Sequence, residues 1–555
     1  MRPLVAPLLL MMLVALAAPP DRARAEGVAE DGFDTAIARR MAAEGRLVIE
    51  GRRLDLSSLR PFYAQRGFHP VWFTAGAEAP VPAARDLLGA VQAADAEGLT
   101  PADYHPVAIE ARLGAAEPAR RVELELLLTD ALLTYAADIH QGRKKPALIS
   151  REFDIKPEAL DKVATGEAAL ATADLKGFLK GLAPQTDNYA RLRKALAQYR
   201  ALEKAGGWAT VPDGPKMQPG LRSPAVVALR KRLAVTGDLD PKVPVAPVYD
   251  SVVEKAVARF QARHGLEADG VVGPGTRAAL NMSVAERVNQ ILANLERERW
   301  MPVERGPRHV EVNIPGFRLK AYDHGAVALD MPVIVGTAVR RTPILDSHII
   351  SVIFNPSWYV PRKLAREDIL PKLQKDPSYL ETQGIKVLSD WSGSAKPVDT
   401  SRVKWKTVGP DFMNRLRLRQ EPGPLNSLGQ VKFNIPNDFD VYLHDTPHRE
   451  KFDKTVRTFS SGCVRVGDPM ALAAFLLQDM PEWPLQRRQE VLEAGKTRMV
   501  VLSKAVPVRL LYQTAWVDDL GVAHFHEDIY GRDAELLKAV DRTPVVPPKV
   551  ANLPD

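Results

Sequence analysis

Apolar and polar positions do not keep one period along this chain. Between residues 35 and 205 the apolar residues recur at helical spacing, most clearly over 83–94 and 124–139, which predicts a helical N-terminal domain. Within it, 59–72 is rich in aromatics (Phe62, Tyr63, Phe68, Trp72) and reads as a packing unit. Residues 98–104 read as a turn into a helix start, with Pro101 at a permitted first-turn position. Gly and Pro cluster over 204–220 and mark a linker. Helical spacing resumes in a compact unit over 221–282: Val226, Leu229 and Leu233 mark one helix, Val252, Ala256, Val257 and Phe260 a second, and 276–280 a third. Ser283-Val284-Ala285-Glu286 then has the form of a capping box. The stripe Val284, Val288, Ile291, Leu292, Leu295 runs on toward Trp300, as expected of a helix docking this unit onto the next domain.

From about residue 306 the period becomes two. Residues 309–314 and 326–329 alternate as strands do, and 331–335, 349–354, 431–433 and 441–443 are further strand candidates. This predicts a β-rich domain over 306–504. Residues 363–428 break its pattern with an expected helix at 365–373 and a polar stretch holding Trp391 and Trp405. That is too long for a loop in a compact domain and reads as an inserted subdomain, a capping lid. Residues 505–555 read as a C-terminal extension, with a strand over 508–512 and a helix over 533–540. The fold class expected is multidomain α+β.

At the N-terminus, Met1-Arg2, an apolar run over 4–18 and Ala23-Arg24-Ala25 make an export signal over 1–25, with the mature chain starting near Glu26. No later segment is apolar enough to span a membrane, so the working compartment is expected to be the periplasm. The formal charge of +7 includes +2 from Arg2, Arg22, Arg24 and Asp21 in that signal, leaving +5 on the mature chain. So mild and dispersed an excess does not point to nucleic acid, which demands a clustered basic footprint.

Cys463 is the only cysteine among 555 residues. An exported chain with one cysteine forms no internal disulfide, so the thiol is free for chemistry. It sits in Ser460-Ser461-Gly462-Cys463-Val464-Arg465, 19 residues after His444, which closes a strand. A thiolate is the nucleophile, and an adjacent imidazole can take its proton. His448, in the charged loop beyond, competes with His444 for that role. A nucleophile on a tight turn also offers backbone N–H groups to an oxyanion, here those of Cys463, Gly462 and Ser461. No metal-ligand spacing is evident, and no cofactor is implied. His524 and His526 alternate along a strand and read as surface residues.

Tyr442-Leu443-His444-Asp445-Thr446-Pro447 followed by Ser460-Ser461-Gly462-Cys463-Val464-Arg465-Val466 resembles the catalytic motif of the YkuD-type L,D-transpeptidases, and in particular their large, YcbB-like periplasmic branch. Asn355 to Pro361, with Trp358, resembles that branch's strand-to-helix passage. Ala256 to Gln261, then Asp269 to Gly273, Thr276 and Leu280, resembles a three-helix peptidoglycan-binding module. Many family members carry His two residues before the cysteine, where this chain has Ser461; this concentrates the base role on His444. The resemblance implies a scaffold, a peptidoglycan-binding module and a catalytic domain with an inserted cap. It implies attack by Cys463 on the diamino acid–D-Ala bond of a tetrapeptide stem and transfer to a second stem as a 3→3 cross-link. It implies that the Asp445 carbonyl orients His444, that Arg465 binds a substrate carboxylate or holds the turn, and that Tyr442, Asp445 and Trp358 line the substrate site. Peptidoglycan is then the partner, with other cell-wall synthases as further candidates and carbapenems as acylating ligands. The alternatives are an L,D-carboxypeptidase or wall-remodelling hydrolase using water as acceptor, and a non-catalytic peptidoglycan-binding protein.

Overall fold

The computed structural model describes residues 32–540 except 75–76, 303–305 and 393; the export signal expected over 1–25 lies outside the described residues. The chain is a multidomain α+β protein.

Helix Pro118–Gln141 carries leucines and alanines around most of its circumference, and nearly all of them are buried. A helix apolar on every side belongs at the centre of a bundle, and the N-terminal helices pack around this one. The aromatic unit closes on it: buried Glu125 accepts the Val71 and Trp72 N–H groups and the Tyr63 hydroxyl, and Trp72 Nε1 donates to Thr129. Helix Val284–Trp300 begins with the expected capping box, Ser283 and Glu286 each satisfying the other's backbone N–H. It is buried along almost its whole length, between the scaffold helix Asp187–Lys204 and the C-terminal segment.

The module over 221–282 has its own core of Val226, Leu229, Leu233, Val253, Val257, Phe260 and Leu280. Its turn is tied by buried Gln261, which donates to Asp269, Val271 and Thr276 and accepts the Gly270 N–H.

The large sheet of the β-rich domain closes on itself. In order round the barrel run Val431–Asn434, Leu443–His444, Val464–Val466, Ala326–Gly336, Arg318–Asp323, Arg308–Asn313, Arg498–Leu511 and Ile344–Phe354, and the last pairs back onto Val431–Asn434. The segments expected at 326–329 and 331–335 form one strand, Ala326–Gly336. Strand Arg498–Leu511 runs through the boundary expected at 504/505 and pairs with both Ile344–Phe354 and Arg308–Asn313. A register shift between Val501 and Val506 hides its alternation in the sequence. The scaffold adds Phe153–Asp154 as a parallel strand against Ile344 and Leu345.

The inserted subdomain has a separate core, including Leu373, Val387, Trp405 and Met413, and a three-stranded sheet of Trp358–Tyr359, Arg417–Gln420 and Ile385–Leu388. It starts at Trp358 rather than at 363, since Trp358–Tyr359 is a strand of that sheet. The helix expected over 365–373 forms, with a π-helical turn at Ala365–Ile369. Among the described residues no helix is long and apolar enough to cross a membrane.

Candidate active site

Strand Leu443–His444 lies parallel to Val464–Val466, with Leu443 opposite Val464 and His444 opposite Arg465. Leu443 and Val464 are fully buried in the barrel. Period-two alternation therefore sends Tyr442, His444, Cys463 and Arg465 together to the other face. The antiparallel neighbour sets Lys432 opposite His444.

His444 is buried, and its Nδ1 lies 2.5 Å from the Asp445 carbonyl. A carbonyl only accepts, so Nδ1 carries the proton and Nε2 keeps its lone pair. Burial first, then the positive charges of Arg465 and Lys432, depress this imidazole to about 3, so it is neutral at ordinary pH. The Asp445 carboxyl, meanwhile, accepts the Gln430 N–H at 2.8 Å and Arg449 Nη1 at 2.9 Å. A side chain on Gly429, itself at φ +60°, would run into that carboxyl.

Cys463 keeps partial exposure, yet burial dominates its thiol and pushes it up; Tyr442, Lys432 and Arg465 work in the opposite direction. Its sulfur faces the Asp440 carbonyl at 3.8 Å rather than His444. The turn before it is closed by Ser460, whose Oγ donates to the Cys463 carbonyl and accepts the Gly462 N–H at 3.1 Å. Gly462 has φ +118°, a conformation suited to glycine. Its amide is thus committed inside the turn, which corrects the expectation that it is available to an oxyanion. Ser461 is exposed, and its Oγ accepts from Arg340 Nη1 at 3.1 Å.

Arg465 is half-buried, and its Nε and Nη1 have no hydrogen-bond partner among the described residues. The Tyr442 ring lies 5.7 Å from the His444 ring, and Lys432 Nζ sits 3.8 Å from the Tyr442 ring centroid. Trp358, at the base of the inserted subdomain, acts on the Tyr442 phenol against the upward push that burial gives it. His448 is exposed on its loop, 3.6 Å from Glu450. His524 and His526 are not simple surface residues: His524 pairs with Asp518 at 2.8 Å, and both rings stack on Trp516. Lys432 and Arg340 escaped sequence reasoning. Lys432, between Val431 and Phe433 of one strand, carried a legible signal, because alternation alone sets it on the non-core face.

Comparison with known proteins agrees with this arrangement. Residues 307–501 match the YkuD family, described as an L,D-transpeptidase catalytic domain. Residues 222–280 match a "Putative peptidoglycan binding domain", and residues 57–196 a scaffold domain. A protein of Haemophilus influenzae named "Putative L,D-transpeptidase" is 38% identical over 225 residues, which is 40% of this chain and 44% of that protein. The match thus spans less than half of that relative's length. Among solved structures, an L,D-transpeptidase from Mycobacterium smegmatis aligns at TM-score 0.19 and 11% identity, over 37% of this chain and 58% of that one. One from Stackebrandtia nassauensis aligns at TM-score 0.21 and 13% identity, over 54% and 96%. Superpositions this loose carry no argument. The chain carries a YkuD L,D-transpeptidase catalytic domain together with a peptidoglycan-binding domain and a scaffold domain.

Proposed function

We propose that this chain, with its YkuD catalytic domain, is a peptidoglycan L,D-transpeptidase in which Cys463 is the nucleophile and His444 the base. The observation that carries the reading is the shared face of Tyr442, His444, Cys463 and Arg465, with a neutral imidazole whose Nε2 is free to accept a proton. In this scheme the Cys463 side chain leaves the Asp440 carbonyl and turns toward that nitrogen. The thiol proton passes to Nε2, and the sulfur attacks the carbonyl of the diamino acid in the donor stem. The bond to D-Ala breaks, and the departing amine takes the proton from His444. A side-chain amine of a second stem then attacks the thioester and gives its proton to His444. The thiolate leaves and is reprotonated, and a 3→3 cross-link remains. The Cys463 amide is the oxyanion donor in this scheme. Arg465 and Lys432 are cations beside the thiol, and they supply the sites for stem carboxylates. The inserted subdomain excludes water from the thioester. The site of action is the periplasm, reached through the signal at 1–25. Other cell-wall synthases are proposed partners.

The partial exposure of Cys463 favours one second reading, hydrolysis of the same thioester, which makes the chain an L,D-carboxypeptidase. Mass spectrometry of products from disaccharide-tetrapeptide separates the two. A cross-linked dimer lacking one D-Ala supports the transpeptidase. Tripeptide alone supports the hydrolase, and no product from the wild type, matching Cys463→Ala, refutes both.

A further inference from the structure

One loop grips the nucleophile turn at three successive residues. The Thr337 N–H donates to the Ser460 carbonyl at 3.0 Å, Arg340 Nη1 donates to Ser461 Oγ at 3.1 Å, and Thr342 Oγ1 donates to the Gly462 carbonyl at 2.8 Å. Of these, Thr342 is the most tightly built. It is fully buried, and every polar group it has is used. Its hydroxyl accepts the Gly336 N–H at 2.8 Å, its N–H donates to the Tyr530 hydroxyl at 3.3 Å, and its carbonyl accepts Arg532 Nη2 at 2.9 Å.

Those last two partners lie beyond residue 501, where the match to the catalytic family ends. Tyr530 also donates to the Gly336 carbonyl at 2.5 Å, so it clamps both ends of the loop. Arg532 is fully buried against Phe153, Tyr512 and Tyr530. The same Nη2 that holds Thr342 also reaches Glu152 of the scaffold at 2.8 Å. A continuous chain of hydrogen bonds therefore runs from Glu152 through Arg532 and Thr342 to the residue preceding Cys463.

We propose that Thr342 is the positioning residue of the Cys463 turn, and that Arg532 and the scaffold's Glu152 act through it, so that the C-terminal segment and the scaffold are parts of the catalytic unit. The inference rests on Cys463 being the nucleophile, as argued above. It assigns a local task to two regions outside the catalytic family: they hold a glycine-containing turn in the one shape that sets Cys463 on the face shared with His444, Lys432 and Arg465. A turn with a glycine at its centre has little stiffness of its own, and a buried carbonyl left without its donor drives rearrangement.

The test uses the full chain with Thr342→Val, Thr342→Ser and Glu152→Ala, read by iodoacetamide alkylation of Cys463 against pH and by steady-state turnover of disaccharide-tetrapeptide. Valine keeps the shape and removes the hydroxyl. The turn then loosens and the thiol hydrates, so alkylation speeds up at pH 8 and its midpoint moves down toward that of an ordinary thiol. Meanwhile kcat falls about tenfold, the loss one buried hydrogen bond supports, with KM little changed. Serine restores both readouts. Glu152→Ala, at a partly exposed position, moves both the same way by about two- to threefold, and it covers the case in which Thr342→Val does not fold. Wild-type behaviour of Thr342→Val in both readouts, or a Ser variant no better than Val, overturns the proposal. So does a Glu152→Ala variant identical to wild type, for the part assigned to the scaffold. If the wild type forms no product while alkylation still responds to Thr342, the proposed activity fails and the positioning role stands.

Discussion

Arg340 holds Asp368 with both arms of its guanidinium, Nη1 and Nη2 lying 2.5 and 2.6 Å from the two carboxylate oxygens. The same Nη1 donates to Ser461 Oγ, and Nη2 also pairs with Glu367 at 3.0 Å. Asp368 and Glu367 lie on the π-helical turn of the inserted subdomain, so one side chain ties that subdomain to the Cys463 turn. Asp368→Asn is expected to loosen the lid and raise the ratio of hydrolysed to cross-linked product. A half-exposed pair is worth at most about 1 kcal/mol, which sets the change at about two- to fivefold, and 0.5 M salt, roughly where screening becomes short-ranged, should move the wild type toward the mutant. The ratio is read by mass spectrometry of products; an unchanged ratio removes the latch.

The resting site holds a neutral thiol, turned to the Asp440 carbonyl, and a neutral imidazole on the same face. Burial raises Cys463, and His444 sits at about 3. Alkylation of Cys463 is therefore expected to keep climbing with pH beyond about 8.5, the ordinary thiol value. A plateau beginning near neutrality would mean a preformed thiolate–imidazolium pair, which this arrangement does not contain.

Gly429→Ala is expected to damage the site from behind. The added methyl meets the Asp445 carboxyl, whose neighbouring carbonyl orients His444. The position also has φ +60°, a conformation costing a non-glycine residue roughly 1 kcal/mol. Turnover should fall by about tenfold or more, as for loss of one hydrogen bond to a catalytic group, while the unfolding temperature drops only a few degrees, as about 1 kcal/mol implies. A variant with wild-type kcat would show that Asp445 does not set the histidine.

Much of this site was legible because strands alternate. Cys463 stood out as a lone thiol after a glycine turn, and His444 as the end of a strand. Tyr442 and Arg465 followed from the same period. Alternation sets Lys432 off the core face, and only the pairing of its strand with that of His444 brings it to the site. Arg340, Thr342 and Arg532 could not be read at all, because Arg340 and Thr342 meet the turn from over a hundred residues away and Arg532 reaches it only through Thr342. Strand Arg498–Leu511 was cut short in the reading since its bulge breaks the alternation, with Lys504 and Pro507 near the break. Phe153–Asp154 is too short to show any period.

His526 offers a test of acid stability away from the catalytic face. Burial chiefly, then His524 and Arg457, depress it to about 3. In the unfolded chain it titrates near 6.5. Between those values the unfolded state takes up a proton the folded state refuses, so stability present above 6.5 is lost as pH falls toward 3. His526→Gln should lose less stability than the wild type between pH 7 and 5, by on the order of 1 kcal/mol. Denaturant melts at the two pH values measure it; equal losses in both proteins would place His526 in water.

The central claim is that Cys463, with His444, takes an acyl group, and intact-mass spectrometry of the protein mixed with a carbapenem tests it most directly. One adduct per chain is expected, located on the peptide holding Cys463, absent in Cys463→Ala and much slower in His444→Ala. An unmodified wild type, or an adduct that persists in Cys463→Ala, would contradict it.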